Sequence, residues 1–124
     1  MARAKPERSP YLADAAAVLV RIDPDVGGTV GLKYLEKMLA GPSEDAEEAL
    51  RAAAKLGPLA VPLMPAITKQ LRVGTAPRRM QAAIVLGAMG PDGRDAVLLL
   101  RIALKDSDPQ VRRAAAEALK QLEK

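Results

Sequence analysis

The sequence predicts an all-α fold, a short α-solenoid of about three and a half helix pairs. Hydrophobic residues make up 49 % of the 124 residues, yet the only aromatic side chains are two tyrosines. A core of Leu, Val, Ile, Met and Ala favours helices over sheet. The apolar pattern also repeats every 33 residues, since Ala53, Leu86 and Leu119 occupy the same place in successive copies. A plain helical bundle, the alternative architecture, does not require such self-similarity.

The first repeat is expected over residues 9–40, after a basic flexible tail at 1–8. Ser9 and Pro10 suit the start of a helix, because serine caps free amides and proline lacks the N–H that would be unpaired there. This helix is expected to end near Ile22. The segment DPDVGG at 23–28 then predicts a turn, and a second helix follows over about 29–40.

The second repeat is expected over residues 43–71. Ser43 is placed as the cap of a helix over 44–56, whose first turns are acidic, as the helix dipole favours. The Gly57-Pro58 pair starts the next helix. Pro62 and Pro65 predict that this helix begins late, kinks or starts in 3₁₀ form, because an interior proline breaks the α-helical hydrogen-bond pattern.

The third repeat is expected over residues 76–104, with helices at about 77–89 and 93–104. A final half repeat at 108–124 supplies one more helix, for which Asp108 is the predicted cap and Pro109 the first helical residue. Residues 9–124 are therefore interpreted as a single repeat domain.

Two absences narrow the function. The chain has no cysteine and no histidine, which removes disulfides, thiol nucleophiles and every Ser-His-Asp arrangement. We predict no catalytic residue, no metal ligand and no cofactor site, and hence a non-catalytic protein. No apolar run approaches the roughly 20 residues that cross a bilayer, and the basic N-terminus makes a poor secretory signal. A cytoplasmic protein that does not bind membranes is expected.

Two motifs carry a family resemblance. DPQVRRAAAEAL at 108–119 is similar to the first-helix signature of HEAT repeats, especially the short type known from phycobilin lyases. GPDGRDAVLLLRIAL at 90–104 looks like the partner helix of that repeat. The resemblance implies a right-handed superhelix with a curved surface that binds protein or nucleic acid. It does not imply one reaction.

The same resemblance assigns structural roles to charged residues in the turns. In HEAT-like repeats an Asp and an Arg form a ladder between successive turns. Asp106 and Arg112 match those positions, and Arg79 matches the Arg one repeat earlier. Val73 stands where the Asp of that earlier repeat would be, so we expect an incomplete ladder and a less rigid turn at 72–75.

The positive charge lies in the second half of the chain. Residues 1–62 carry a net charge of −1 and residues 63–124 carry +5. Such an excess is a candidate ridge for an acidic protein or for phosphate backbone. A solvated face, with Arg79 and Arg112 used in turn contacts, is the simpler interpretation, because no aromatic residue is available to stack on bases. The candidate partner-binding residues of this set are Arg72, Arg78, Arg79, Arg101, Lys105 and Arg113.

A second candidate surface is apolar. Leu98, Leu99 and Ile102 add hydrophobic area beyond the stripe that the helix needs for its core contact, so they either pack on neighbouring helices or form an exposed patch for a partner. The expected function is therefore a scaffold for protein–protein interaction, through the concave row of second helices or through the open C-terminal edge. Nucleic-acid binding, self-association at that edge and an accessory role in a lyase-type enzyme remain alternatives.

Two weaker patterns are interpreted structurally. The acidic run at 44–48 suggests a cation site, but stabilisation of a helix start explains it more simply. Gly27, Gly28 and Gly31 hint at a phosphate cradle, but they lack the preceding strand and the spacing that such loops need. We expect them to form a turn and a weak helix start.

Overall fold

The computed structural model describes residues 12–22 and 25–123, and the secondary structure of this part is helical. The bounds of the α-helices are α1 Leu12–Ile22, α2 Val26–Leu39, α3 Ser43–Leu56, α4 Met64–Val73, α5 Ala76–Ala88, α6 Val97–Ala103 and α7 Pro109–Leu122. Two 3₁₀ segments, Gly57–Leu63 and Gly90–Ala96, precede α4 and α6. The all-α prediction is confirmed.

The helices form two layers, as in an α-solenoid. Helices α1, α3, α5 and α7 pack side by side in chain order, and α2, α4 and α6 form a second row against them. Each helix also contacts the next one along the chain or the 3₁₀ segment that leads into it. Each helix pair therefore buries its apolar stripe against the pairs before and after it.

The 33-residue period is visible in the helix boundaries. Helices α3, α5 and α7 begin at Ser43, Ala76 and Pro109, and the two 3₁₀ segments begin at Gly57 and Gly90. Both glycines have positive φ, +57° and +66°, which favours glycine over residues with a side chain. The period therefore fixes the backbone conformation at the break between paired helices.

The 3₁₀ start predicted before α4 is present, but the predicted start of α6 at residue 93 is wrong by four residues. The segment from Gly90 continues in 3₁₀ form to Ala96. Close packing accounts for this conformation, because a Cβ on Gly93 would lie 2.8 Å from the Leu86 carbonyl oxygen of α5. A short 3₁₀ segment that packs closely against α5 replaces the first turn of the expected helix.

The start of α2 also differs from the prediction. The helix begins at Val26, so Gly27 and Gly28 lie inside it and do not form the expected turn. A Cβ on Gly31 would lie 2.4 Å from the carbonyl oxygen of Ala16 in α1. Gly31 therefore permits close contact between α1 and α2, which is a packing role and not that of a phosphate cradle.

The other expectations about helix starts divide into three groups. The helix start at Ser9 and Pro10, the tail 1–8 and the first two residues of the turn predicted at 23–28 lie outside the described residues. Ser43 is the first residue of α3, so the capping position belongs to Pro42 and not to Ser43 as predicted. Asp108 does cap α7, since its Oδ1 accepts hydrogen bonds from the amides of Gln110 at 2.8 Å and Val111 at 3.2 Å.

Small residues line the contacts within the first layer. Ala49 and Ala53 of α3, Ala82 of α5 and Ala115 of α7 are all buried. A Cβ on Gly87 of α5 would lie 2.8 Å from the Cα of Ala118 in α7, so this pair of helices approaches closely. Larger side chains fill the space between the layers, including Leu35, Leu50, Leu63, Ile67, Leu86 and Leu100. The alanine content of the sequence thus reflects close helix packing.

Candidate partner-binding groove

The outer face of α6 is apolar. Leu100 and Ala103 point into the core and are buried, whereas Leu98 and Ile102 are 71 % and 69 % exposed. Leu98 and Ile102 are four residues apart, so they lie one above the other on one side of the helix. Of the two predicted outcomes for these residues, packing on a neighbour or an exposed patch, the structure shows the exposed patch; only Leu99 is partly buried.

The exposed leucine and isoleucine border a groove between α4 and α6. Its volume is about 890 Å³. Leu71 of α4 and Ala103 of α6 are its more deeply buried apolar members. The lining residues are Leu71, Arg72, Leu98, Leu99, Arg101, Ile102, Ala103, Lys105 and Asp106. The groove, called the α4–α6 groove below, lies in the second row of helices and not on the open C-terminal edge.

Three exposed cations surround the α4–α6 groove. Arg72 and Lys105 are 33 residues apart and therefore occupy equivalent positions in successive repeats. Arg101 lies one turn from Lys105, and its Nη2 is 3.6 Å from Glu123 Oε1, with both side chains more than half exposed. Such an exposed, long ion pair contributes little to stability. The positive charge at the groove is consequently accessible from solvent.

The fourth charged residue of the groove, Asp106, is already paired. Arg79 of α5 donates from Nε to Asp106 Oδ2 at 2.8 Å and from Nη2 to Oδ1 at 3.0 Å. The Arg79 hydrogen bond lowers the pKa of Asp106, an effect that burial opposes and the Asp108 amide assists. The same hydrogen bond raises the pKa of Arg79. The side chains of Arg79 and Asp106 are only 20 % and 13 % exposed. This bidentate pair therefore stabilises the turn and is not available to a ligand.

Arg78 and Arg112 are also used in turn contacts. Arg78 donates from Nη1 to Gln70 Oε1 at 3.0 Å and from Nε to Thr75 Oγ1 at 3.2 Å. Arg112 donates from Nη1 to the carbonyl oxygen of Asp106 at 2.7 Å. The Asp–Arg contacts that the family resemblance implied for the turn before α7 are therefore present.

The structure brings together six of the nine residues proposed from sequence as partner-binding. Those in the α4–α6 groove are Arg72, Leu98, Leu99, Arg101, Ile102 and Lys105. Arg78 and Arg79 lie in the first turn of α5, where they make internal contacts. Arg113 is exposed on α7 and does not line the groove.

Two members of the groove carried no sequence signal, because Leu71 and Ala103 look like ordinary core residues of their helices. The exposure of Leu98 and Ile102, in contrast, has a signal in the sequence. At the positions equivalent to Leu98 and Ile102, the preceding repeat has Pro65 and Lys69. A comparison of the two copies would have shown that the repeat itself does not need apolar residues at these sites.

The remaining candidates gave no site. The acidic run at 44–48 lies in the first turns of α3, and within residues 12–22 and 25–123 no group of three or more Asp and Glu side chains is arranged to hold a metal ion. In the same part of the chain, no helix has the length and apolarity needed to cross a membrane.

Comparison with known families agrees with the fold. Residues 64–124, which span α4 to α7, match the family model for HEAT repeats. This part of the chain belongs to the HEAT-repeat family. HEAT repeats commonly serve as protein-interaction scaffolds, and the family is typically non-catalytic. No curated protein and no solved structure matches the chain, and the closer likeness to the phycobilin-lyase type stays a prediction.

Proposed function

We propose that this chain is a non-catalytic scaffold that binds a protein partner through the α4–α6 groove. The observation that carries the proposal is the exposure of Leu98 and Ile102 beside a groove of about 890 Å³. Single exposed apolar residues are ordinary on protein surfaces, but two adjacent ones that border a concave surface are typical of interaction sites.

The comparison between repeats supports this interpretation. Lys69 and Pro65 occupy the equivalent places on α4, so folding of the repeat is compatible with a polar or small surface there. Complete burial of a Leu or Ile side chain is worth about 1.5–3 kcal/mol, and the monomer leaves most of that unused at Leu98 and Ile102. A partner that covers both side chains recovers it.

The contacts of the arginines favour a protein over nucleic acid. Arg78, Arg79 and Arg112 bind turn residues, which removes much of the continuous basic ridge that phosphate backbone would need. The three groove cations are interleaved with apolar side chains, and the sequence has no Trp or Phe to stack on bases. The proposal also includes the cytoplasmic location and the single repeat domain over 9–124 that the sequence predicts.

Photocrosslinking tests the proposal. The residue at position 98 or 102 is replaced by p-benzoylphenylalanine in the source cells, and the same replacement at Val30 of α2 serves as the control, since Val30 is also exposed. We expect one protein adduct, identified by mass spectrometry, at both groove positions and not at position 30. Equal adduct patterns at all three positions, or none at any, would refute the assignment of the groove as the binding surface.

A further inference from the structure

We propose that the α4–α6 groove binds an acidic amphipathic segment of the partner. This segment has two apolar side chains about 6 Å apart along its axis and carboxylates on either side of them. This inference rests on the proposed function and adds the chemistry of the ligand. Its two supports are the sign of the charge around the groove and the spacing of the exposed apolar side chains.

The residues that line the groove present a net positive charge to a ligand. Arg72, Arg101 and Lys105 are exposed, whereas Asp106, the one carboxylate among the lining residues, is neutralised by its two hydrogen bonds with Arg79. A basic segment would meet three like charges without a free counter-charge. An acidic segment would gain complementary contacts and faster association.

The Arg101–Glu123 ion pair shows what such a contact looks like. A carboxylate oxygen of Glu123 already lies 3.6 Å from Nη2 of Arg101, a residue that lines the groove. The distance is too long for a hydrogen bond, and both side chains face solvent. A ligand carboxylate with better geometry can therefore replace Glu123 at little cost.

The apolar pair sets the spacing of the ligand. Leu98 and Ile102 are separated by four residues of α-helix, or about 6 Å along its axis. A helical ligand presents apolar residues at i and i+4 with the same spacing, and an extended ligand does so at i and i+2. Arg101 of α6 and Lys105, two residues beyond its end, alternate with this pair in the sequence. Acidic residues next to the apolar ones would thus meet the cations.

Fluorescence anisotropy with the full chain and three labelled 12-residue peptides tests the inference. The first peptide has Leu at i, i+4 and i+8 and Glu elsewhere, the second replaces Glu by Lys, and the third replaces Leu by Ser. We expect the first to bind at least about tenfold more tightly than either of the others, because it alone supplies both kinds of contact. Its affinity is expected to fall as salt is raised.

Matched variants place the peptide in the groove. We expect Arg72→Glu combined with Lys105→Glu, and separately Leu98→Ser combined with Ile102→Ser, to weaken binding by about tenfold or more. Arg113→Glu combined with Lys120→Glu, an equal change of charge on exposed residues outside the groove, is expected to leave it unchanged. Circular dichroism is used to check that each variant keeps its helical content, which we expect because all the substituted side chains are exposed.

Any of the following results would overturn the inference. The lysine peptide could bind as tightly as the glutamate peptide, or none of the peptides could bind. A 20-nucleotide DNA could bind with an affinity that Leu98→Ser does not change, which would identify a polyanion site. Sedimentation could show self-association that Ile102→Ser abolishes, which would assign the groove to a second copy. A crosslink at position 102 without binding of the acidic peptide would refute the ligand chemistry and leave the proposed function standing.

Discussion

Two of the turns that join successive repeats, α4 to α5 and α6 to α7, have the same place in the fold and different chemistry. The first turn connects α4 to α5 through Gly74 and Thr75, and the second connects α6 to α7 through residues 104–108. The first is held by a neutral side chain, Gln70, and the second by the charged pair of Arg79 and Asp106. The position of a turn in the repeat therefore determines the path of its backbone, but it does not determine which polar side chains hold the turn in place.

The first turn is tied to the repeat before it. Gln70 is only 6 % exposed and donates from Nε2 to the carbonyl oxygen of Leu39, the last residue of α2, at 2.7 Å. Its Oε1 accepts a hydrogen bond from Arg78 of α5. One side chain thus satisfies a carbonyl at a helix end and joins three helices.

The second turn is tied to the preceding helix of the first layer. Arg79 reaches from α5 to Asp106 and also donates from Nη1 to the carbonyl oxygen of Gly74 at 2.9 Å. It therefore contacts both turns. One repeat earlier, Val73 and Ala46 occupy the places of Asp106 and Arg79, so the same ionic contact cannot form there.

The largest expected effect comes from an attempt to copy the ionic turn into the earlier repeat. Ala46 is fully buried, so Ala46→Arg places a long charged side chain where no room exists. We expect the free energy of unfolding to fall by about 3–5 kcal/mol, since an unpaired buried charge and overpacking both act. Urea unfolding followed by circular dichroism measures the change.

Val73→Asp is the control for this test. Val73 is 69 % exposed, so its replacement is expected to change stability by less than about 0.5 kcal/mol. The double variant is expected to be as unstable as Ala46→Arg alone. A double variant with wild-type stability would show that the ionic turn is transferable and would contradict the comparison.

A smaller loss of stability is expected when Gln70, which holds the turn between α4 and α5, is replaced by the residue at the equivalent position of the next repeat. Gln70→Ala introduces the residue found one repeat later, at Ala103. It removes the hydrogen bond to Leu39 and leaves a small cavity, so we expect a loss of about 2–3 kcal/mol in the same unfolding assay. Lys69→Ala, at the exposed neighbouring position, should cost less than about 0.5 kcal/mol. Equal costs for the two variants would show that Gln70 does not hold the turn.

The smallest of the three effects depends on pH. Asp106→Asn removes the negative charge that pairs with Arg79, and we expect a loss of about 1–2 kcal/mol at pH 7. Because the pKa of Asp106 is lowered in the folded chain, its contribution is complete above the ordinary aspartate pKa of about 3.9. It is lost as the pH falls through the lowered folded value. Thermal unfolding of both proteins from pH 7 to pH 2 measures the difference.

Convergence of the two unfolding curves at low pH supports this account of the second turn. The exposed Asp92→Asn variant is the control and should differ little from the wild type at pH 7. A stability difference for Asp106→Asn that stays constant to pH 2 would mean that the effect is steric and not electrostatic.

The sequence predicted part of this comparison. Val73 stands at a ladder position without an acidic residue, and that single substitution indicates that the two turns differ. Gln70 gave no such signal, because a lone glutamine in a helix has no periodic pattern. Its role depends on Leu39, which is 31 residues away in the chain. The prediction of a less rigid turn at 72–75 considered only the missing ladder residue. It did not include the hydrogen bonds of Gln70, which take the place of the ladder in this turn.

The candidate site was predicted to a similar extent. The sequence selected Leu98, Leu99 and Ile102 as excess apolar surface and left open whether neighbours cover them. It selected Arg78 and Arg79 together with the groove cations, because composition does not distinguish an exposed arginine from one that binds a turn. Only packing brings Leu71 of α4 next to α6.

The sequence by itself determined the helices, their 33-residue period and the breaks at Gly57 and Gly90, because these follow from interactions between residues close in the chain. The tertiary structure alone decided which arginines remain free, where Gln70 binds and that Leu98 and Ile102 stay exposed. Those outcomes depend on contacts between helices in different repeats. For the same reason the role of Gly31 is a tertiary one, since it fits against Ala16 of α1 only once the two helices have packed.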